Sequence, residues 1–275
     1  MKPPGLPLDL SVPRVMGILN VTPDSFSDGG RFVALEAALR QAERMVADGA
    51  AILDIGGEST RPGAGAVGSD EELARVIPVI ERLHAEFAVP LSIDTSKPEV
   101  MRAAVAAGAV LINDVNALGA PGAVETAAAL GVAVCLMHMQ GEPRTMQAAP
   151  QYDDVVADII FYLDQRVTAC AAAGIGRDRL LLDPGFGFGK TLAHNLELLA
   201  RLGEFGTLEL PLLVGLSRKS MLGSVTGRPV EQRMPASVAA ALMAVERGAR
   251  VVRVHDVGPT VDAVKLWCAV HGYPD

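Results

Sequence analysis

Apolar and polar positions follow two rhythms along this chain. Short Val/Ile/Leu-rich runs occur at Val15–Leu19, Ala51–Asp54, Leu91–Asp94, Val110–Asn113, Ala133–Met137, Leu180–Asp183, Leu212–Gly215 and Val251–Arg253. Runs that are apolar throughout, rather than alternating, predict strands covered on both faces. Between them the period lengthens: Val155, Ile159, Leu163 and Val167 fall four apart, and Leu35, Leu39 and Val46 behave similarly, which predicts helices. Ser69 with Glu72, and Ser96 with Glu99, fit capping boxes at two helix starts. A phrase also repeats, in which an alanine-rich helical run meets Gly49, Gly108, Gly131, Gly174 or Gly248. Gly just past a helix end takes the left-handed conformation without steric cost, so the phrase reads as a recurring helix-to-strand junction. Eight strands alternating with helices predict an α/β fold, a (β/α)8 TIM barrel, as a single domain over residues 1–275. Leu6 to Val12 alternate apolar and polar and are expected to form a short β-ribbon across the barrel floor. An open doubly wound sheet also alternates strand and helix, but no strand opens into Gly-x-Gly-x-x-Gly and a helix here.

Composition narrows the partners more than the fold. A net charge of -8 offers no basic face for nucleic acid or a membrane surface, so an anionic substrate must meet locally concentrated positive charge. The first residues lack a signal-type apolar core and no run approaches a membrane span, so the expected location is cytoplasmic. Cys135, Cys170 and Cys268 are odd in number, widely spaced and set in apolar segments, which predicts buried thiols rather than disulfides or a zinc site.

The polar residues that finish the strands carry the chemistry. Asn20, Asp54, Asp94, Asn113, His138, Asp183, Ser217 and the pair Arg253 and His255 would converge on the C-terminal mouth of a barrel. Carboxylates and carboxamides suit a ligand rich in N–H donors, because an ionised carboxylate accepts two parallel hydrogen bonds from a guanidine-like edge. Arg61, Arg218, Lys219, Arg253 and His255 add positive charge at the same end, where barrels tend to hold phosphate. Residues 22–30 and 61–68 are long, Gly- and Pro-rich connections of the kind that form lids.

Pro184 to Thr191, Pro-Gly-Phe-Gly-Phe-Gly-Lys-Thr, comes within one residue of a phosphate-binding P-loop. Pro184 stands where the first Gly belongs and has no N–H to offer, and Asp183 puts negative charge at the loop's entry, so nucleotide hydrolysis is rejected. His84, His194 and His271 are expected at the surface.

Taken together, Gly17-Ile-Leu-Asn-Val-Thr-Pro-Asp-Ser-Phe-Ser-Asp-Gly-Gly30, Asp54-Ile-Gly-Gly-Glu-Ser-Thr-Arg-Pro-Gly63, Ile93-Asp-Thr-Ser-Lys-Pro98, Ile112-Asn-Asp114, Leu136-Met-His-Met-Gln-Gly141, the stretch from Leu180, Ser217-Arg-Lys-Ser220 and Arg253-Val-His-Asp256 resemble the dihydropteroate synthase family. The resemblance implies a folate-pathway transferase that joins 6-hydroxymethyl-7,8-dihydropterin diphosphate to p-aminobenzoate. By that similarity Asp94, Asn113, Asp183 and Lys219 would hold the pterin, with Met137 and Phe188 packing about it. Asn20 would ligate Mg²⁺, the expected cofactor, and with Thr60, Arg61, Arg253 and His255 would hold the diphosphate. Pro62, Phe188 and Ser220 would shape the p-aminobenzoate site. Asp94, Lys219, Arg253 and His255 would carry the catalysis, in a homodimer whose active site sulfonamides enter. Two competing readings are a methyltetrahydrofolate-dependent methyltransferase, which has no need of the diphosphate cluster, and an inactive barrel kept as a scaffold.

Overall fold

The computed structural model describes residues 5–21, 30–59, 65, 67–141 and 145–273, with the side chains of 30–34 left aside. Eight parallel strands close on themselves in sequence order. They are β1 (Arg14–Asn20), β2 (Ile52–Gly56), β3 (Leu91–Asp94), β4 (Leu111–Asp114), β5 (Ala133–Met137), β6 (Leu180–Asp183), β7 (Leu212–Val214) and β8 (Ala249–Val254). The helices around them are α1 (Gly30–Ala47), α2 (Ser69–Glu86), α3 (Pro98–Ala106), α4 (Ala123–Leu130), α5 (Val155–Ala172), α6 (Leu192–Ala200), α7 (Ser220–Thr226), α8 (Met234–Glu246) and α9 (Val257–Val270). Among the described residues no helix is long and apolar enough to cross a membrane. Cys135 and Cys170 are buried free thiols, and Cys268 is half-buried.

Strand period explains how the barrel makes a site. Residues such as Leu53, Ile55, Ile93, Ile112, Leu136 and Leu182 face outward into the layer shared with the helices. Their neighbours face inward, and the inward set changes character with height. At the bottom, Met16, Ile52, Leu111, Leu181, Leu213 and Val251 form a dry plug. Two residues further along five of those strands stand Ile18, Asp54, Asn113, Asp183 and Arg253. The register holds them level: Ile18 pairs with Asp54, and Asp94 with Asn113.

The expected junction glycines all take positive φ, from 72° at Gly131 to 121° at Gly108. The floor differs from expectation. Leu6, Leu8 and Leu10 do pack beneath the plug, yet residues 5–13 pair with no strand. Asp9 instead turns the chain by accepting hydrogen bonds from the Ser11 amide and hydroxyl, each at 2.9 Å, and Pro7 and Pro13 withhold ladder donors. Neither capping box forms. Gly68 caps α2 and Lys97 caps α3, whose first position is Pro98. Glu72 is fully buried and pairs with Lys97, a stronger partner than a helix-end amide. A true capping box appears at Thr191 and His194, which start α6.

Candidate active site

A cavity opens at the C-terminal end of the barrel. Nine of the residues singled out in the sequence line it: Asp94, Asn113, Met137 and Asp183 from β3 to β6, Phe188, Ser217 and Lys219 from the loops after β6 and β7, and Arg253 and His255 at the end of β8. Ser220 opens α7 and is exposed rather than lining the cavity. Asn20 stands beside Gly56, its carboxamide oxygen 3.5 Å from where a Cβ on that glycine would lie, with Asp94 3.6 Å from the same point. Thr60, Arg61 and Pro62, and the core of both expected lids, lie outside the described residues.

One guanidinium organises the polar layer. Arg253 Nε donates to Asp54 at 2.6 Å and its terminal nitrogen donates to Asp94 at 2.7 Å. Asn113 Nδ2 donates to the same Asp54 oxygen at 3.0 Å. Asp54 is wholly buried and lies behind the cavity wall as the hub that aligns Arg253 and Asn113; its other oxygen is buried without a partner. Burial holds the Asp94 carboxyl above the usual carboxylate range, against the pull of Arg253.

Across the cavity, Lys219 donates to the Phe186 carbonyl and stands 4.4 Å from the Phe188 ring centre. Burial brings its ammonium down to about 8, with Asp183 opposing the shift. Asp183 in turn is raised by burial and steadied by Lys219. Its Oδ1 accepts the Gly185 N–H at 2.7 Å. His255 is set by Ser217, whose hydroxyl lies 3.0 Å from Nδ1 and accepts the His255 backbone N–H at 3.1 Å.

Two strand-end residues turn elsewhere. His138 faces out of the barrel, edge-on to Tyr162 with ring centres 5.0 Å apart. Arg218 pairs with Asp256 instead of entering the cavity, while Ser217 and Lys219 on either side of it line the site. Lys190, the near-match to a P-loop lysine, is 3% exposed and bound to the Gly185 and Phe188 carbonyls, which leaves it unavailable to phosphate.

Several supporting residues escaped the sequence reading. Asp114, one residue past Asn113, accepts the Asn116 and Leu118 amides at 2.8 Å each, while Arg166 donates to the Ala117 and Leu118 carbonyls. Together they hold Ala117 and Leu118 at φ 48° and 58°, a strained turn that starts from the cavity-lining Val115. Lys97 bridges Glu58 and Glu72, and Glu58 also accepts the Val67 amide at 3.0 Å. Asp114 follows a flagged residue directly, so its position was a usable signal; Arg166 gave none and Glu72 gave a misleading one, because their partners lie far away in sequence.

Comparison with known proteins agrees with this geometry. The pterin binding enzyme family matches residues 16–255. The dihydropteroate synthase of Escherichia coli K12 is 55% identical over 262 residues, covering 95% of this chain and 93% of that one. A Yersinia pestis dihydropteroate synthase solved with a sulfonamide drug superposes with a TM-score of 0.93 at 55% identity, covering 99% of each chain. A Xanthomonas albilineans dihydropteroate synthase with 4-aminobenzoic acid gives 0.92 at 58% identity, covering 97% of this chain and 96% of that one. With its barrel, its mouth of Asp, Asn, Lys and Arg, and this likeness along nearly its whole length, the chain belongs to the dihydropteroate synthases of the pterin binding enzyme family.

Proposed function

We propose that the mouth of this barrel catalyses the dihydropteroate synthase reaction through the residues that line it, in one domain spanning the chain. The reaction breaks the C–O bond between the pterin methylene and its diphosphate, forms a C–N bond to p-aminobenzoate, and releases pyrophosphate and the amine proton. The observation that carries the assignment is the juxtaposition of Asp183 and Asn113 with Arg253 and His255 in one cavity. Acceptors for an amino-pyrimidine edge and cations for a departing diphosphate thus share a mouth, as alkyl transfer with diphosphate loss requires.

In this reading Asp183 and Asn113 pair with the heterocycle's N–H groups, and Met137 and Phe188 supply apolar contact. Arg253 and His255, with Thr60 and Arg61, take the negative charge that grows on the diphosphate as the C–O bond lengthens. Asp94 stabilises the positive charge left on the methylene. Lys219 holds the pterin with Asp183 and Asn113 and, lying against the Phe188 ring, also borders the place where Phe188, Ser220 and Pro62 receive p-aminobenzoate. Mg²⁺ fits the donor set: Asn20 offers a hard carboxamide oxygen beside Asp94, and this ion characteristically takes few protein ligands and completes its shell with water and phosphate oxygens. When bound there it would neutralise diphosphate charge.

A homodimer is proposed on α8 and α9, which pack together and leave Met243, Leu266 and Val270 50%, 67% and 73% exposed. Pyrophosphate release that needs both substrates and matches 7,8-dihydropteroate formation mole for mole is the expected result. Absence of release with both present would overturn the reading.

A further inference from the structure

The Gly-rich turn between β6 and α6 has two faces, and only the inner one meets the cavity. There the Phe186 carbonyl accepts from Lys219, and the Phe188 ring lies against the same ammonium. On the outer face Lys190 Nζ lies 2.9 Å from the Gly185 carbonyl, 3.0 Å from that of Phe188 and 3.0 Å from His138 Nδ1. These contacts use every hydrogen that an ammonium carries. Burial, reinforced by Lys190, pushes the His138 imidazole down to about 2, so it stays neutral. Burial likewise holds Lys190 well below the ordinary lysine value. Either charge state of Lys190 closes the same contacts. The ammonium donates all three, whereas the amine donates two to the carbonyls and takes Nδ1–H on its lone pair.

The neighbourhood leaves little room to relax. Asn195 Oδ1 accepts the Gly187 N–H at 2.7 Å, and the Tyr152 hydroxyl donates to the Gly189 carbonyl at 2.7 Å. A Cβ on Gly185 would lie 1.8 Å from the His138 carbonyl oxygen, and one on Gly189 2.3 Å from that of Gln140. The turn is thus pressed onto the β5 loop, and Lys190 with His138 fixes its standing distance.

We propose that Lys190 and His138 are positioning residues, a buried clamp that sets Phe188 and the Phe186 carbonyl and, through them, the Lys219 ammonium at the p-aminobenzoate end of the site. The inference rests on the reading of Phe188 and Lys219 given above. It accounts for a lysine at the P-loop position that reaches no phosphate, and for a strand-end histidine that faces away from the mouth.

Graded variants test it. His138→Asn keeps a polar atom near the Nδ1 position, His138→Gln keeps one but displaces it, and His138→Leu and Lys190→Met remove one partner outright. Each is measured by steady-state pyrophosphate release with both substrates varied, by melting temperature, and by calorimetric binding of 6-hydroxymethyl-7,8-dihydropterin. The clamp is expected to show as a KM for p-aminobenzoate raised about tenfold in His138→Leu and Lys190→Met and less in His138→Gln, with pterin affinity falling less than that because Asp94, Asn113 and Asp183 still hold it, and with His138→Asn near the parent. Should the Leu and Met variants not fold, the contrast between Gln and Asn gives the same reading. Equal loss of affinity for both substrates, an unchanged p-aminobenzoate KM, or an Asn variant no better than Gln or Leu would overturn the proposal. Phe188→Ala separates the two levels. An unchanged KM there removes Phe188 from the site, whereas a raised KM beside a parent-like His138→Leu removes only the clamp.

Discussion

Asp183 divides its work between fold and ligand. One oxygen receives the Gly185 N–H and so shapes the turn, while the carboxyl as a whole lines the cavity. Asp183→Ala is expected to weaken pterin binding about a hundredfold, since it strands the substrate's donors without acceptors. Calorimetry giving the parent's affinity would remove the role. Lys219 yields a prediction in pH. Burial places its value at about 8, below that of an ordinary lysine, so it is charged below that point and neutral above. The kcat/KM for p-aminobenzoate is therefore expected to fall as pH rises through about 8. Lys219→Gln should lose that limb along with most activity. A parent profile that stays flat up to the ordinary lysine range would detach the ammonium from substrate binding. Each of these residues was legible as a polar residue ending or following an apolar run. Arg253 was legible too, but its pairing with Asp54 and Asp94 was not, because they lie 199 and 159 positions away.

At the scale of elements, the connections carry more information than the strands. Lys97 caps α3, yet its side chain reaches back to Glu58, just past β2, and to Glu72 inside α2. Glu72 is fully buried and one of its oxygens has no partner, so Lys97 is what makes the charge tolerable there. Lys97→Met is expected to destabilise the protein by about 3 kcal/mol in urea unfolding, and a second change, Glu72→Gln, to recover much of that loss. Additive losses would show that the two do not act as a pair. The local pattern around Ser69 and Glu72 pointed to a capping box, and the prediction failed because a distant lysine competed for the carboxylate. Local reading succeeded where the partner was local, as at the junction glycines and along the buried face of α5, where Val155, Ile159, Leu163 and Val167 all lie.

For the molecule as a whole, the layer of Asp54, Asp94, Asn113 and Arg253 ties β2, β3, β4 and β8 together above the apolar plug. Binding residues and barrel closure are therefore coupled. Arg253→Met is expected to abolish turnover and also to cost about 3 to 5 kcal/mol of stability, because Asp54 is left buried without its cation. Adding Asp54→Asn should restore much of the stability and none of the activity, as read by denaturation and pyrophosphate release. If Arg253→Met lost activity at parental stability, the residue would serve the ligand alone.

The sequence by itself determined the barrel, because short runs buried on both faces and helices buried every three to four residues leave distinct patterns, and eight such units leave few ways to close. It also marked most of the residues at the mouth, since a carboxylate or amide at the end of an apolar strand stands out against its surroundings. Tertiary structure decided which of these face inward. His138 and Arg218 turn away to Lys190 and Asp256, and Asp54 withdraws behind Arg253. The physical reason is that a buried polar group must find partners, and in a closed barrel those partners come from strands that meet only once the chain has folded.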